Sequence, residues 1–328
     1  MTEPSSPSGP SFTPGMREFL NGLIARATLA DRQPPFSDQS LVDVESGARQ
    51  LVVLAAREKP AAAAIVLFAT DSFEAEFVVD PLERHQGLGN RMMIEMLREA
   101  HGTVRIWAHG DHPDARALAR RYNFEAAREL LQLRAEVSTS PGIEPVEISH
   151  GDGKVSGAEV STSSTTGGGS TTGGGSTRVT VDSFRPGTDD AEWLRVNALA
   201  FATHPEQGSL TQADLDARVA EPWFDANDFL VARDDSGAMM GFCWLKVQEG
   251  PDSGERIGEF YAVGVHPKHQ GLGLGRSLVR AGLERLATLG IRTASLYVEA
   301  DNVAAVKLYR SFGFADHSID IQYELKRR

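Results

Sequence analysis

The chain has 328 residues, 41% of them hydrophobic, enough for two domains of ordinary size with separate cores. A formal charge of −12 argues against general nucleic-acid binding, and no apolar run reaches the length of a membrane span. A single cysteine excludes an intrachain disulfide and fits a reducing cytoplasm.

Residues 1–15 are rich in Pro and Ser, lack the parts of a signal peptide, and read as a disordered tail. The spacing predicts a helix over 16–29, strands over 51–56 and 61–69 joined by a turn, and a strand over 73–79. A glycine-rich turn follows, Arg84-His85-Gln86-Gly87-Leu88-Gly89-Asn90. Behind it Met92, Met93, Met96, Leu97 and Ala100 form a helical stripe that stops at Gly102. A strand over 104–108, a helix carrying Ala115, Leu118, Ala119 and Tyr122, and a closing strand over 129–136 complete this half. Residues 138–177 change character: 163–176 are almost all Ser, Thr and Gly, with Thr-Thr-Gly-Gly-Gly-Ser repeated, which reads as a flexible linker.

From 178 the pattern resumes. A strand over 179–184, helices over 189–201 and 212–220, and strands over 229–233, 241–247 and 255–265 lead to a second glycine-rich turn. Cys243 lies in the second of those three strands and reads as a buried, inert thiol rather than a nucleophile. After the turn come a helix that stops at Gly290, a strand over 295–298, a helix carrying Ala305, Leu308, Tyr309 and Phe312, and a strand over 318–325 that closes the sheet. The shared order means that one fold unit is present twice, over 16–137 and 178–328.

The second turn is Gln270-Gly271-Leu272-Gly273-Leu274-Gly275-Arg276. A glycine turn between a strand and a helix start leaves the first-turn N–H groups facing outward, with the positive end of the helix dipole behind them, so it suits a phosphate or pyrophosphate. A P-loop would need Gly-Lys-Ser/Thr, and here Gly275-Arg276-Ser277 follows the wrong glycine spacing. A dinucleotide fingerprint counted from Gly271 would need its last glycine at Arg276. The remaining Gln-x-x-Gly-x-Gly pattern resembles the acetyl-CoA pyrophosphate loop of the GNAT acetyltransferase superfamily.

That resemblance implies an α/β fold of two tandem GNAT domains, each a mixed, mostly antiparallel sheet flanked by helices. Two strands of such a sheet splay to admit the pantetheine arm of CoA. It implies that acetyl-CoA is held by Val263, Gly264, Val265, the loop Gln270–Arg276 named above, and Asn302, Val303, Ala304, Ala305, Val306 and Lys307. In the first half the matching positions are Phe77, Val78, Val79 and the loop Arg84–Asn90 named above. Glu259 matches the position of the general base and Tyr309 that of the acid that protonates the leaving thiolate. Counted back from the first loop, Phe73 falls at the place of Glu259, with His112 for Asn302 and Ala119 for Tyr309. The first half is therefore expected to be degenerate and non-catalytic, either still holding acetyl-CoA or only buttressing the other half.

A narrower resemblance rests on 191–197, 201–208, Trp223-Phe224-Asp225, Trp244-Leu245-Lys246-Val247 and 296–306. These stretches are similar to a tandem-domain branch of the superfamily that acetylates the cysteinyl amine of a thiol glycoside. The similarity implies that Glu206, Lys246, Glu259 and Tyr297, with Asp38 from the first half, touch that substrate. It also implies a cytoplasmic, monomeric enzyme without a metal, a nucleic-acid partner or a membrane partner. Two competing readings are a GNAT enzyme for a peptide, polyamine or aminoglycoside amine, and a non-catalytic acetyl-CoA sensor. The presence of both Glu259 and Tyr309 in one half speaks against the sensor.

Overall fold

The computed structural model describes residues 13–138, 179–202, 205–249 and 255–326, without the side chains of Asp38, Pro205 and Glu206. Residues 1–12 of the expected tail and the Ser/Thr/Gly linker from residue 139 lie outside the described residues, while Pro14 and Gly15, also expected in the tail, open the first helix instead. The elements in chain order begin with α1 (Pro14–Asp31), α2 (Asp38–Ser46), β1 (Gln50–Ala56), β2 (Lys59–Phe68), β3 (Ser72–Val79), α3 (Leu88–Glu99), β4 (Thr103–Ala108), α4 (Pro113–Arg121) and β5 (Glu125–Glu136). They continue with β6 (Thr180–Ser183), α5 (Asp190–Ala200), α6 (Pro205–Gly208), α7 (Gln212–Val219), β7 (Phe229–Arg233), β8 (Met239–Glu249) and β9 (Arg256–Val265). The last four are α8 (Leu274–Thr288), β10 (Thr293–Glu299), α9 (Val303–Arg310) and β11 (Ala315–Lys326).

The chain forms two compact units that share the halves unevenly. The first takes Met1–Leu133, Tyr297–Val306 and Asp316–Arg328; the second takes Arg134–Leu296 and Lys307–Ala315. In the first unit β1, β2 and β3 form an antiparallel meander, and β3 pairs parallel with β4. The pairing beyond β4 differs from the sequence expectation that residues 318–325 close the sheet of the second half. Instead β11 lies antiparallel on β4, from Ile321↔Ala108 to Lys326↔Thr103. Alternation in a sequence predicts a strand but not its neighbour; here charges fix the choice. Glu324 stands opposite Arg105 and accepts from its Nε at 3.0 Å. Asp320 accepts from the Gly110 N–H and from His109.

The core of the first unit lies between this sheet and α3, with Phe73, Ala75, Met92, Met93, Met96, Val104 and Ile106 buried together. Leu20, Leu23, Phe36, Ile65 and Val78 pack on the other face under α1 and α2. α2 is absent from the sequence reading because its nine residues carry a weak apolar stripe. Its start is set by Ser37, whose hydroxyl accepts from the Ser40 N–H.

In the second unit β6, β7, β8 and β9 are antiparallel, and β9 pairs parallel with β10. One face carries α8, which approaches β9 closely because Gly258 and Gly282 leave no side chain between them: a Cβ at Gly258 would stand 2.3 Å from Leu286, and one at Gly282 2.6 Å from Phe260. The other face buries an aromatic cluster under α5 and α7, in which Trp244 stacks on Phe229 at 4.3 Å and Trp193 meets both edge-on. Both units are mixed, mostly antiparallel sheets flanked by helices.

Candidate active site

The two glycine loops fold alike. Gly87 and Gly273, both left-handed at φ 85° and 80°, start α3 and α8, and neither helix start is capped by a side chain. The N–H groups of the first turn are left for an anion. Gln270 donates its Nε2 to the Val265 carbonyl at 3.3 Å, and Arg84 donates its Nε to the matching Val79 carbonyl at 3.2 Å. Arg84 thus does the work of the glutamine, with its other two nitrogens bound to Asp31. Gly271 is left-handed (φ 80°), and His85, a residue with a side chain, holds the same conformation at φ 59°. Gly275 and Gly89 are not left-handed. A Cβ on Gly275 would stand 3.3 Å from Leu308, and one on Gly89 3.2 Å from Leu118, so these glycines make room for the neighbouring helix.

A bulge in β9 sets the position of Glu259. Trp244 pairs with Ala262 but Leu245 pairs with Phe260, which leaves Tyr261 as the extra residue. Before the bulge Gly258 and Phe260 face α8; after it Gly264 faces Phe242 and Ala200 of α5. Strict alternation would put all of these on one side. Glu259 is half-buried on the face opposite α8, directly across from Lys246. Among the described residues the pairing of β9 with β10 runs Thr293↔Ile257, Ala294↔Gly258 and Ser295↔Glu259. Residues 260–265, which include Val263, Gly264 and Val265, lie beyond it on that side, where the splay was expected.

The first unit repeats this pairing pattern. β3 and β4 pair from Ser72↔Thr103 to Glu76↔Trp107, and Phe77, Val78 and Val79 lie beyond. These three residues, with Arg84, His85, Gly87, Gly89 and Asn90 of the loop, line a cavity of about 440 Å³. No bulge interrupts β3, and this corrects the count from the loop. Ser295 and Arg105 hold the same place in their strands; their partners are Glu259 and Glu74. The residue matching Glu259 is therefore Glu74, not Phe73, which is buried in the core. Glu74 is bound at 2.6 Å by Arg49, which also holds Asp43 at 3.1 Å.

His109 lines the same cavity and was missed by sequence reasoning. Its Nδ1 lies 3.0 Å from Asp320, and its Nε2 lies 3.4 Å from Glu76 as an ion pair without hydrogen-bond geometry. Glu76 is buried and accepts from the Ser37 N–H (2.7 Å), the Ser37 hydroxyl (2.8 Å) and the Ser40 hydroxyl (2.7 Å). Burial alone would push the carboxyl up and the ring down; the charge pair and the donors reverse both, holding Glu76 at about 2 and raising His109 to about 9. The available signal was the second glutamate of Ser-Phe-Glu-Ala-Glu-Phe in a strand buried on both faces.

The other expected residues are placed as follows. Tyr309 is buried against Phe314 in the second unit, and burial holds its hydroxyl above the usual tyrosine range. Asn302 accepts from the Ala305 N–H at 3.2 Å and so caps α9, along which Val303, Ala304, Ala305, Val306 and Lys307 run; His112 caps α4 in the same way. Arg276 lies over the Phe312 ring and donates to Ser311. Tyr297, 44% exposed, accepts from Gln132 Nε2 at 2.9 Å, and Gln132 accepts from Ser318 at 3.0 Å, all within the first unit. The side chains of Asp38 and Glu206 lie outside those described; their backbones open α2 and sit in α6. Buried Asn197, also missed, ties α6 to α5 through the Gln207 carbonyl (2.6 Å) and side chain (3.1 Å). Cys243 is fully buried, and burial pushes its thiol up.

Residues 193–314 match the model of the acetyltransferase (GNAT) family. The mycothiol acetyltransferase of Sanguibacter keddieii is 41% identical over 312 residues, 93% of this chain and 91% of that protein. That of Kocuria rhizophila is 40% identical over 93% of this chain and 94% of its own. Among solved structures, a GCN5-related N-acetyltransferase from Sphaerobacter thermophilus superposes over 94% of this chain and 91% of its own, with TM-score 0.66 at 21% identity. A tandem GNAT protein from the clavulanic acid biosynthesis pathway does so over 93% and 95%, with TM-score 0.60 at 14% identity. At these identities the two structures speak for the fold.

Proposed function

The chain belongs to the mycothiol acetyltransferase family of GNAT N-acetyltransferases, and we propose that its acceptor is the cysteinyl amine of cysteinyl-glucosaminyl-inositol, with mycothiol as product. The observation that carries the reading is the combination in β9 of a bulge, Glu259 at its foot, and a ladder to β10 that ends at Glu259. It sets a carboxylate at the end of the paired stretch with the backbone of residues 260–265 beyond it, an arrangement that suits aminolysis of a thioester.

In this mechanism Glu259 takes the proton of the acceptor ammonium, directly or through water. A free α-amine loses its proton near pH 7.7, so a carboxylate base has modest work to do. A backbone N–H of β9 beyond the bulge polarises the thioester carbonyl. The amine nitrogen attacks that carbon, the C–N bond forms, and the C–S bond breaks. Tyr309 gives its proton to the departing thiolate, and the second proton that the acylated nitrogen sheds passes through water to restore the hydroxyl; burial keeps that proton on the hydroxyl until it is needed. Cys243, buried and held as the thiol, takes no acetyl group. The loop from Gln270 to Arg276 holds the pyrophosphate, with Val263–Val265 and Asn302–Lys307 along the pantetheine arm. Lys246, Glu206, Tyr297 and Asp38 serve the acceptor, the first-unit loop holds a second acetyl-CoA without turning it over, and the enzyme works in the cytoplasm.

The test is acetyl transfer to that acceptor by the purified protein and by Glu259→Gln and Tyr309→Phe. Loss of one positioned acid or base lowers kcat by roughly a hundred- to ten-thousand-fold, while acetyl-CoA affinity, set by the untouched loop, stays. Wild-type turnover in both variants at saturation would remove the assigned roles. Faster acetylation of a polyamine or aminoglycoside would replace the acceptor.

A further inference from the structure

Glu259 does not stand alone on its face of the second unit. Lys246 is directly across from it on β8, and Tyr261 follows it by two residues on the same face. Residues opposite each other in an antiparallel pair have Cβ atoms about 5 Å apart. The Lys246 ammonium lies over the indole of Trp223, 5.4 Å from the ring centre. That indole is half-buried: it leans on Trp244 at 5.9 Å and on Tyr261 at 5.4 Å, and part of it stays in contact with solvent. Arg218 donates its Nε to the Tyr261 hydroxyl at 3.0 Å and its Nη1 to the Asp214 carbonyl at 2.9 Å, which anchors the tyrosine from α7. Trp223 itself sits in the short segment between α7 and β7.

These residues form a wall with distinct chemistry. Its floor is the fixed aromatic cluster of Phe229 and Trp244, so Trp223 and Tyr261 cannot fold away into the core. Trp223 is only half-buried, and the Lys246 ammonium lies over its indole. A lysine over an aromatic face gains about 0.5–1 kcal/mol at exposed sites and loses the freedom of a long side chain. A pyranose or cyclitol ring offers the complement: an apolar face of C–H bonds for the indole, and hydroxyls for the ammonium and the tyrosine hydroxyl. Catalysis at Glu259 needs none of this; holding a polyhydroxylated amine in line with it does.

We infer that Trp223, with Lys246 pinned on its face and Tyr261 beside it, is the subsite for the ring portion of a glycosidic amine acceptor, and that Trp223 determines the preference for such an acceptor over a sugar-free amine. The inference rests on the functional reading above, because it assumes that an amine is acetylated at Glu259.

The experiment compares two acceptors, the glucosaminyl-inositol conjugate of cysteine and cysteine methyl ester, with wild type, Trp223→Leu and Trp223→Phe. Leucine keeps bulk but removes the aromatic face; phenylalanine keeps part of it. The expected result is a wild-type preference for the glycosidic acceptor, measured as a ratio of kcat/KM values. Trp223→Leu lowers that ratio about tenfold through KM of the glycosidic acceptor, as befits a partly desolvated aromatic anchor, and Trp223→Phe restores part of it. Equal loss with both acceptors would make Trp223 a structural residue and overturn the inference while leaving the reaction standing. A wild type active on both without preference would also overturn it. A wild type that acetylates neither would overturn the functional reading itself.

Discussion

Replacing His109 by glutamine should destabilise the first unit, and the cost should depend on pH in a way that its geometry dictates. The ring is 11% exposed, between Glu76, 3% exposed, and Asp320, 7% exposed. Its proton is held up to about 9, against an ordinary 6.5. A group whose folded value is raised stabilises the fold fully below its unfolded value and loses that contribution as pH rises through the folded one. The His109 contribution is therefore complete below pH 6.5 and gone above pH 9. Glu76 runs the other way: held at about 2 against 4.5, it contributes above pH 4.5 and loses that as pH falls toward 2. The two shifts share one interaction and count once, at about 3 kcal/mol from the histidine shift. Glutamine leaves Glu76 its three donors from Ser37 and Ser40 but no cation. The variant should thus be about 3 kcal/mol less stable at pH 5–6.5, with the gap closing by pH 9.5. Hydrogen exchange of peptides covering residues 103–110, followed by mass spectrometry from pH 5 to pH 10 after correction for intrinsic rates, reads the strand concerned. A gap that stays constant across that range would refute the charge assignment and leave His109 as a packing residue.

The paired variants Gly275→Val and Gly89→Val separate the halves: each new Cβ meets a leucine of the next helix at 3.3 or 3.2 Å, but only the first should abolish turnover, the second acting through stability; steady-state kinetics beside circular dichroism checks it, and a dead Gly89 variant with a working Gly275 variant would put catalysis in the other half. A chain ending at residue 314 loses β11 and with it Asp320 and Glu324. Its first unit should become protease-sensitive across residues 103–108, and resistance equal to the full chain would deny β11 that place.

Much of the fold was legible in the sequence because the signals were local. The two helices behind the glycine loops announce themselves by apolar stripes and by glycines just past their ends, and they occupy the expected positions. Apart from α2, with its weak apolar stripe, the main misses concern which strand lies beside which, and such pairing leaves little trace in either strand alone. The place of β11 on β4 depends on Asp320 and Glu324 meeting His109 and Arg105 from more than two hundred residues away. The His109 cluster likewise needs α2, β3, β4 and β11 in place before Ser37, Ser40, Glu76, His109 and Asp320 become neighbours.

The bulge in β9 is the most instructive miss, since it changes what the first half is understood to lack. One extra residue, Tyr261, shifts the count between the loop and the strand below it, so matching the halves by distance from the loop sets Glu259 against Phe73. Matching them by the strand each residue pairs with sets Glu259 against Glu74. The first half therefore has a carboxylate at the position matching Glu259, but it is bound to Arg49 at 2.6 Å. That guanidinium occupies a carboxylate oxygen that an incoming acceptor would need. The unbulged β3 also keeps its alternation, so Glu74 has no counterpart of the extra residue that sets Tyr261 beside Glu259. An arginine over the carboxylate and a strand without its bulge join Ala119 in the place of Tyr309 in a half that keeps the loop and the cavity and is expected to be silent in the chemistry.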